Sequence, residues 1–95
     1  MDNVKKCTVT FSLGRFVATP NALNTIPNPE IMRALARHHF GDWGEVSKGD
    51  WKLNIQALTE GTRLFSVYRS AGGIKFWIIT EADRSVTTIL LPEDY

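Results

Sequence analysis

The sequence predicts one α+β domain over residues 1–95, in the order β-α-α-α-β-β-β, with helices packed on one face of an antiparallel sheet. Three observations carry this. Apolar residues recur at every second position near the N-terminus and again from Thr62 onward. Between those stretches lie three capping signals, each followed by apolar residues at helical spacing. A chain of 95 residues supports one hydrophobic core and leaves no room for a second module.

Residues 6–12 alternate so that Cys7, Val9 and Phe11 share one face of a half-buried first strand. Residues 13–18 carry it on as a bent extension to Thr19-Pro20, which reads as an N-cap and first helical residue. A short helix over 20–26 follows. Asn28-Pro29-Glu30 repeats the device ahead of Ile31, Met32, Leu35 and Ala36, and this second helix is expected to stop at Gly41. Ser47-Lys48-Gly49-Asp50 is a capping box with aspartate in place of glutamate, and Val46 and Trp51 fall at the positions of a hydrophobic staple. The third helix therefore starts at Lys48, turns Trp51, Ile55 and Leu58 inward, and ends at Gly61 in the left-handed conformation. Residues 63–69, 74–80 and 86–91 then read as strands. Gly72-Gly73 marks a tight hairpin turn with both glycines at positive φ, residues 81–85 make a second reversal, and Pro92 ends the last strand. Residues 76–79 are apolar on both faces, which makes their strand central. Trp51, Ile55, Leu58, Phe76 and Ile78 are expected in one core.

Composition excludes several function classes. Eleven basic and ten acidic residues give a net charge of +1, so nothing draws the whole molecule to nucleic acid or membrane, and such binding would need a local patch. Runs such as FWII and ILL fall far short of the ~20 residues of a membrane-spanning helix. The single cysteine, Cys7, forms no internal disulfide, and the N-terminus lacks a signal-peptide pattern, which predicts a reducing cytoplasm. No nucleophile elbow, phosphate-cradling glycine loop or dinucleotide fingerprint is present.

The densest chemistry lies between Ala36 and Trp51. His38 and His39 invite a metal or general-base reading, but adjacent helical residues point about 100° apart, and the chain holds no third histidine. No metal or other cofactor is expected; the favoured role for the pair is structural, in the last turn of a helix against its dipole and free carbonyls. The 42–45 loop carries Asp42, Trp43 and Glu45, and Trp43 either plugs the core, the favoured reading, or stands exposed as a binding anchor. The 81–85 reversal carries Glu81, Asp83 and Arg84. Catalysis by this acidic pair would need a cleft and a shifted pKa, so the turn's charges read first as solvation. Arg63 and Arg69 share a strand face with Phe65 and Val67. They sit either at the rims of a core-facing stripe, the favoured reading, or beside a shallow groove for an acidic partner or a phosphate backbone.

The motifs GDWG, ALTEGTRLFSVY and KFWIITEADRSVTTILLPEDY, and more loosely FSLGRFVATPNAL, resemble a group of small bacterial proteins carried on plasmids, integrative elements and prophages. The group has no assigned activity. The resemblance implies accessory cargo of mobile DNA, a setting where inhibitors of restriction and CRISPR immunity and toxins are common. With no catalytic signature, the expectation is a non-enzymatic module, monomeric or homodimeric, that binds a host protein or protein complex rather than nucleic acid. It would act as an anti-CRISPR or anti-restriction inhibitor through Asp42, Trp43, Glu45, Glu81, Asp83 and Arg84, with Trp43 and Arg84 foremost. The alternative is a toxin similar to the RelE-type ribosome-dependent ribonucleases, with Arg63, Arg69 and Arg84 as its phosphate-contacting set. Those toxins are usually strongly basic and this chain is not.

Overall fold

A computed structural model describes residues 11–95; of the strand expected over 6–12, residues 6–10, with Cys7 and Val9, lie outside them, and Phe11 and Ser12 are not in a strand. The elements are β1 (Arg15–Ala18), α1 (Pro20–Thr25), α2 (Asn28–His39), α3 (Lys48–Glu60), β2 (Leu64–Arg69), β3 (Lys75–Thr80) and β4 (Val86–Leu90), then one 3-10 turn, Pro92–Asp94. The fold is α+β with four strands in the order β1-β4-β3-β2. The last three strands form an antiparallel meander, but β1 runs parallel to β4, so the sheet is mixed rather than antiparallel. Parallel neighbours need a long crossover, and here the three helices, β2 and β3 supply it. Strand β3 is interior, as its two apolar faces predict.

Local signals fix the helix ends. The Thr19 hydroxyl accepts from the Ala22 amide at 3.1 Å and the Ser47 hydroxyl from the Asp50 amide at 3.0 Å, while Gly61 ends α3 at φ 75°. Asn28 is the first residue of α2 rather than its cap; Pro27 holds that position with no side-chain bond. The buried stripe of α2 is Ile31, Ala34, Leu35 and His38, at spacings of three, one and three, so Met32 and Ala36 face outward. In the β2–β3 connection only Gly73 has positive φ, 87°; the turn is closed by Ser70, whose amide donates to the Ile74 carbonyl at 2.8 Å.

Helix α3 departs from expectation in its facing. Trp51 and Ile55 are 39% and 47% exposed and Leu58 is half-buried, whereas Asn54 and Ala57 are buried. The reason is where the helix sits. It lies along the edge of β2, where the side-chain amide of Asn54 donates to the Phe65 carbonyl at 2.7 Å and accepts from the Phe65 amide at 3.0 Å. A strand edge presents N–H and C=O groups, so the helix meets it with an amide and a small residue, not a stripe of large apolar ones.

The core forms two clusters. Ala22, Ile26, Ile31, Ala34 and Leu35 of the first two helices pack on Tyr68, Phe76, Ile78, Ile89 and Leu91, so α1 and α2 cover one face of the sheet. Trp43, Ala57 and Leu64 form the second cluster, with Phe11, Val46 and Leu58 against it.

Candidate functional site

The 36–51 segment serves the fold. His38 is wholly buried between Ser66 and Thr80, its Nδ1 at 2.6 Å from Ser66 Oγ and its Nε2 at 2.9 Å from Thr80 Oγ1. Thr80 Oγ1 lies 2.7 Å from Thr87 Oγ1, which donates to the Leu13 carbonyl at 2.6 Å. That carbonyl can only accept, and each hydroxyl has one proton, so the direction of every bond follows. Thr87 donates to Leu13, Thr80 to Thr87, His38 Nε2–H to Thr80, and Ser66 to His38 Nδ1. Burial, with smaller contributions from the charges of His39 and Arg84, pulls the His38 pKa from 6.5 down to about 3, so the ring is neutral. Ser66 and His38 have the spacing of a nucleophile and its base, but both are fully buried and no substrate reaches Ser66 Oγ without opening the fold. The role is structural, as expected of the histidine, though its partners are side chains rather than helix carbonyls.

Trp43 is also fully buried, edge-on to His38, and therefore presents nothing to a partner; the sequence had left it between core and anchor. Its neighbours cover the edge of β2. The Val67 amide donates to the Trp43 carbonyl at 3.1 Å, and the Glu45 amide donates to the Val67 carbonyl at 2.7 Å. Gly44 crosses Val67 so closely, at φ 75°, that a Cβ there would collide with the Val67 carbonyl and come within 2.8 Å of the Tyr68 ring. Asp42 takes a two-point ion pair from Arg37 at 2.8 and 3.2 Å, which holds its carboxyl below the usual range, and its carbonyl accepts from the Tyr68 hydroxyl at 2.6 Å. Glu45 pairs with Arg69 at 3.1 Å, which lowers its pKa.

The 81–85 reversal is similarly occupied. Arg84 sits at φ 62°, and its guanidinium donates to the carbonyls of Ala57, Thr62, Glu81 and Ala82 at 2.6 to 3.1 Å, tying the end of α3 to the turn. A cation at a helix C-terminus answers the free carbonyls there. Asp83 accepts from the Ser85 amide and hydroxyl, which lowers its pKa. Arg84 thus spends its guanidinium on backbone carbonyls, that of Thr62 beside Arg63 among them, while Arg63 reaches the Glu81 carboxylate at 3.6 Å.

The second face of the sheet is closed in its middle and accessible at one margin. Leu64, Ser66 and Tyr68 share the face that meets helical residues, so strand alternation and register place Phe65, Val67, Trp77, Ile79 and Leu90 on the opposite side, where Val67, Ile79 and Leu90 are buried, Phe65 and Trp77 half-buried and Tyr95 exposed. Trp77 packs edge-on to both Phe65, at 5.1 Å, and Tyr95, at 5.7 Å. Arg63 donates to the Tyr95 hydroxyl at 2.9 Å and lies 3.6 Å from Glu81. Arg63, Phe65, Trp77, Ile79 and Tyr95 line a cleft of about 260 Å³. Lys75 and Arg15 share this face by register, so the face pairs apolar rings with cations. Arg63 and Arg69 therefore flank a stripe in which Val67 is buried and Phe65 half-buried, with the cleft at the Arg63 end. A second cleft of about 260 Å³, between α2 and the β2–β3 turn, is lined by Arg33, Arg37 and Arg69, but Arg37 and Arg69 are already paired with Asp42 and Glu45.

Among the described residues no three His, Cys, Asp or Glu side chains converge to hold a metal, and no helix is long and apolar enough to cross a membrane. No protein family, curated protein or solved structure matches the chain; its own geometry carries the functional reading.

Proposed function

We propose that the protein is a non-catalytic binding module of a mobile element that inhibits a host defence complex of the CRISPR or restriction type, and that it works through the cleft of Arg63, Phe65, Trp77 and Tyr95 on the second face of its sheet. One observation carries the reading. At the margin of this face the half-buried rings of Phe65 and Trp77, the exposed Tyr95 folded against Trp77, and Arg63 form an accessible cleft of aromatic rings beside a cation. Aromatic residues and arginine are the residues most enriched where binding energy concentrates. Glu81 borders the face through Arg63, whereas Trp43 and Arg84 act on the fold itself. The test is phage challenge of cells with active restriction or CRISPR immunity, expressing wild type, Trp77→Ala or Arg63→Ala. Wild type is expected to protect phage and to be recovered with a host protein, and both properties should fall at least tenfold in the variants while their circular dichroism is unchanged. Wild type that protects no phage and binds no host protein ends the reading.

A second reading has one observation in its favour. Arg63, bonded to the Tyr95 hydroxyl at the cleft, places a cation beside aromatic rings where a phosphate can be met. This suits a RelE-like ribosome-dependent mRNA endonuclease, with Arg84 removed from the phosphate-contacting set. Message cleavage on ribosomes by wild type, lost in Arg63→Ala, is the outcome that selects it.

A further inference from the structure

The two edges of the sheet are treated in opposite ways. On β2, the outward amides and carbonyls of Phe65 and Val67 are met by Asn54, Trp43 and Glu45. On β1, the Arg15 and Thr19 amides donate to the Ser85 and Ile89 carbonyls, at 3.0 Å each. Alternation then turns the N–H and C=O of Phe16 and Ala18 away from β4, where no described residue meets them. Beside this edge lies an apolar groove of about 400 Å³ between β1 and the first two helices. Phe16, Leu23 and Met32, on its rim, are 50%, 55% and 58% exposed. Both layers of the fold therefore present apolar side chains on the same side of the molecule.

We propose that a second copy of this chain occupies this edge, pairing β1 antiparallel with its two-fold mate to join the two four-stranded sheets into one. The register follows from which groups face outward. With Val17 opposite Val17 of the mate, each Phe16 pairs with an Ala18, and all outward N–H and C=O groups of the strand are used without calling on any residue outside it. Each Phe16 then lies beside the small Ala18 of the other copy and over its groove, while Leu23 and Met32 of the two helix layers meet across the axis.

Charge fits the same register. Arg15 falls cross-strand from the mate's Thr19, whose hydroxyl donates at 2.6 Å to Asp94. Asp94 also accepts from Asn21 and from the Leu91 amide, but no cation pairs with it among the described residues. The two-fold supplies one, twice. A perpendicular axis keeps both helix layers on one side, so the two faces that carry Trp77 and Tyr95 become contiguous. The inference is independent of the host partner proposed above, because the assembly needs only this chain.

The experiment is sedimentation of the full chain over a concentration series, together with site-specific cross-linking. Wild type is expected to run at twice the mass of the 10.7 kDa chain. Phe16→Asp, at a side chain half in solvent, is expected to leave folding intact by circular dichroism and return the mass to one chain. In a Cys7→Ser background, Val17→Cys should oxidise to a covalent dimer, because a pair facing across the axis lies within disulfide reach, and Lys75→Cys should not. A wild type that stays monomeric well above micromolar concentration overturns the proposal. So does a dimer that survives Phe16→Asp, or one in which Val17→Cys fails to cross-link.

Discussion

His38 shows how one side chain changes the meaning of three others. Ser66, Thr80 and Thr87 are polar strand residues, and alternation alone would turn them to water, yet all three are buried because the imidazole and the Leu13 carbonyl satisfy them in sequence. The arrangement requires a neutral ring. In the unfolded chain the histidine regains its ordinary pKa of 6.5, against about 3 in the fold. Between those values unfolding takes up a proton, so its stability contribution is whole above pH 6.5 and is lost progressively as pH falls toward 3, on the order of 5 kcal/mol at the limit. The lowered carboxylates Asp42, Glu45, Asp83 and Asp94 act only further down, as pH falls through their own range. Urea unfolding between pH 6.5 and 5 should therefore lose stability at up to ~1.4 kcal/mol per pH unit in wild type. His38→Gln should be less stable at neutral pH and much flatter across that window. A wild type with constant stability from pH 7 to 5 would show that the ring is not held neutral.

At the scale of elements, capping and turn chemistry are local, and they are what the sequence revealed: Thr19, Ser47 and Gly61 end their helices where their residue types require. The interior place of β3 was also legible, from its apolar residues at both parities. The facing of α3 was not, because hydrophobicity ranks Trp51 and Ile55 above Asn54, and only the presence of a strand edge beside the helix makes an amide the better contact. The cleft beside Trp77 was not legible, because it depends on Tyr95 folding back across the sheet onto Trp77 and meeting Arg63 there. Substitutions in α3 should reverse the ordinary order. Asn54→Ala leaves the Phe65 N–H and C=O without partners in a part-buried site and is expected to cost ~1–3 kcal/mol. Trp51→Ala should cost less than Asn54→Ala in the same urea titration, and the opposite ranking would mean that α3 faces the core through its large residues.

For the molecule as a whole, the contrast between its edges should be visible in amide exchange. Phe65 and Val67 amides are expected to be protected at every concentration, since Asn54 and Trp43 hold them. Phe16 and Ala18 should exchange freely in dilute solution and slow only where two copies meet. Equal protection at all four sites in dilute protein would mean that β1 is covered within the chain. The sealed β2 edge also bears on what the protein cannot become. Sheets polymerise when each subunit offers two sticky ends, one for the neighbour above and one for the neighbour below. With Asn54 and the Trp43 to Glu45 crossing closing one end, the chain is a monofunctional unit in the polymer chemist's sense. Whatever strand joins at β1, its own kind or a foreign one, the addition happens once and terminates, and the apolar groove beside β1 stays compatible with a soluble protein rather than the first step of a fibre.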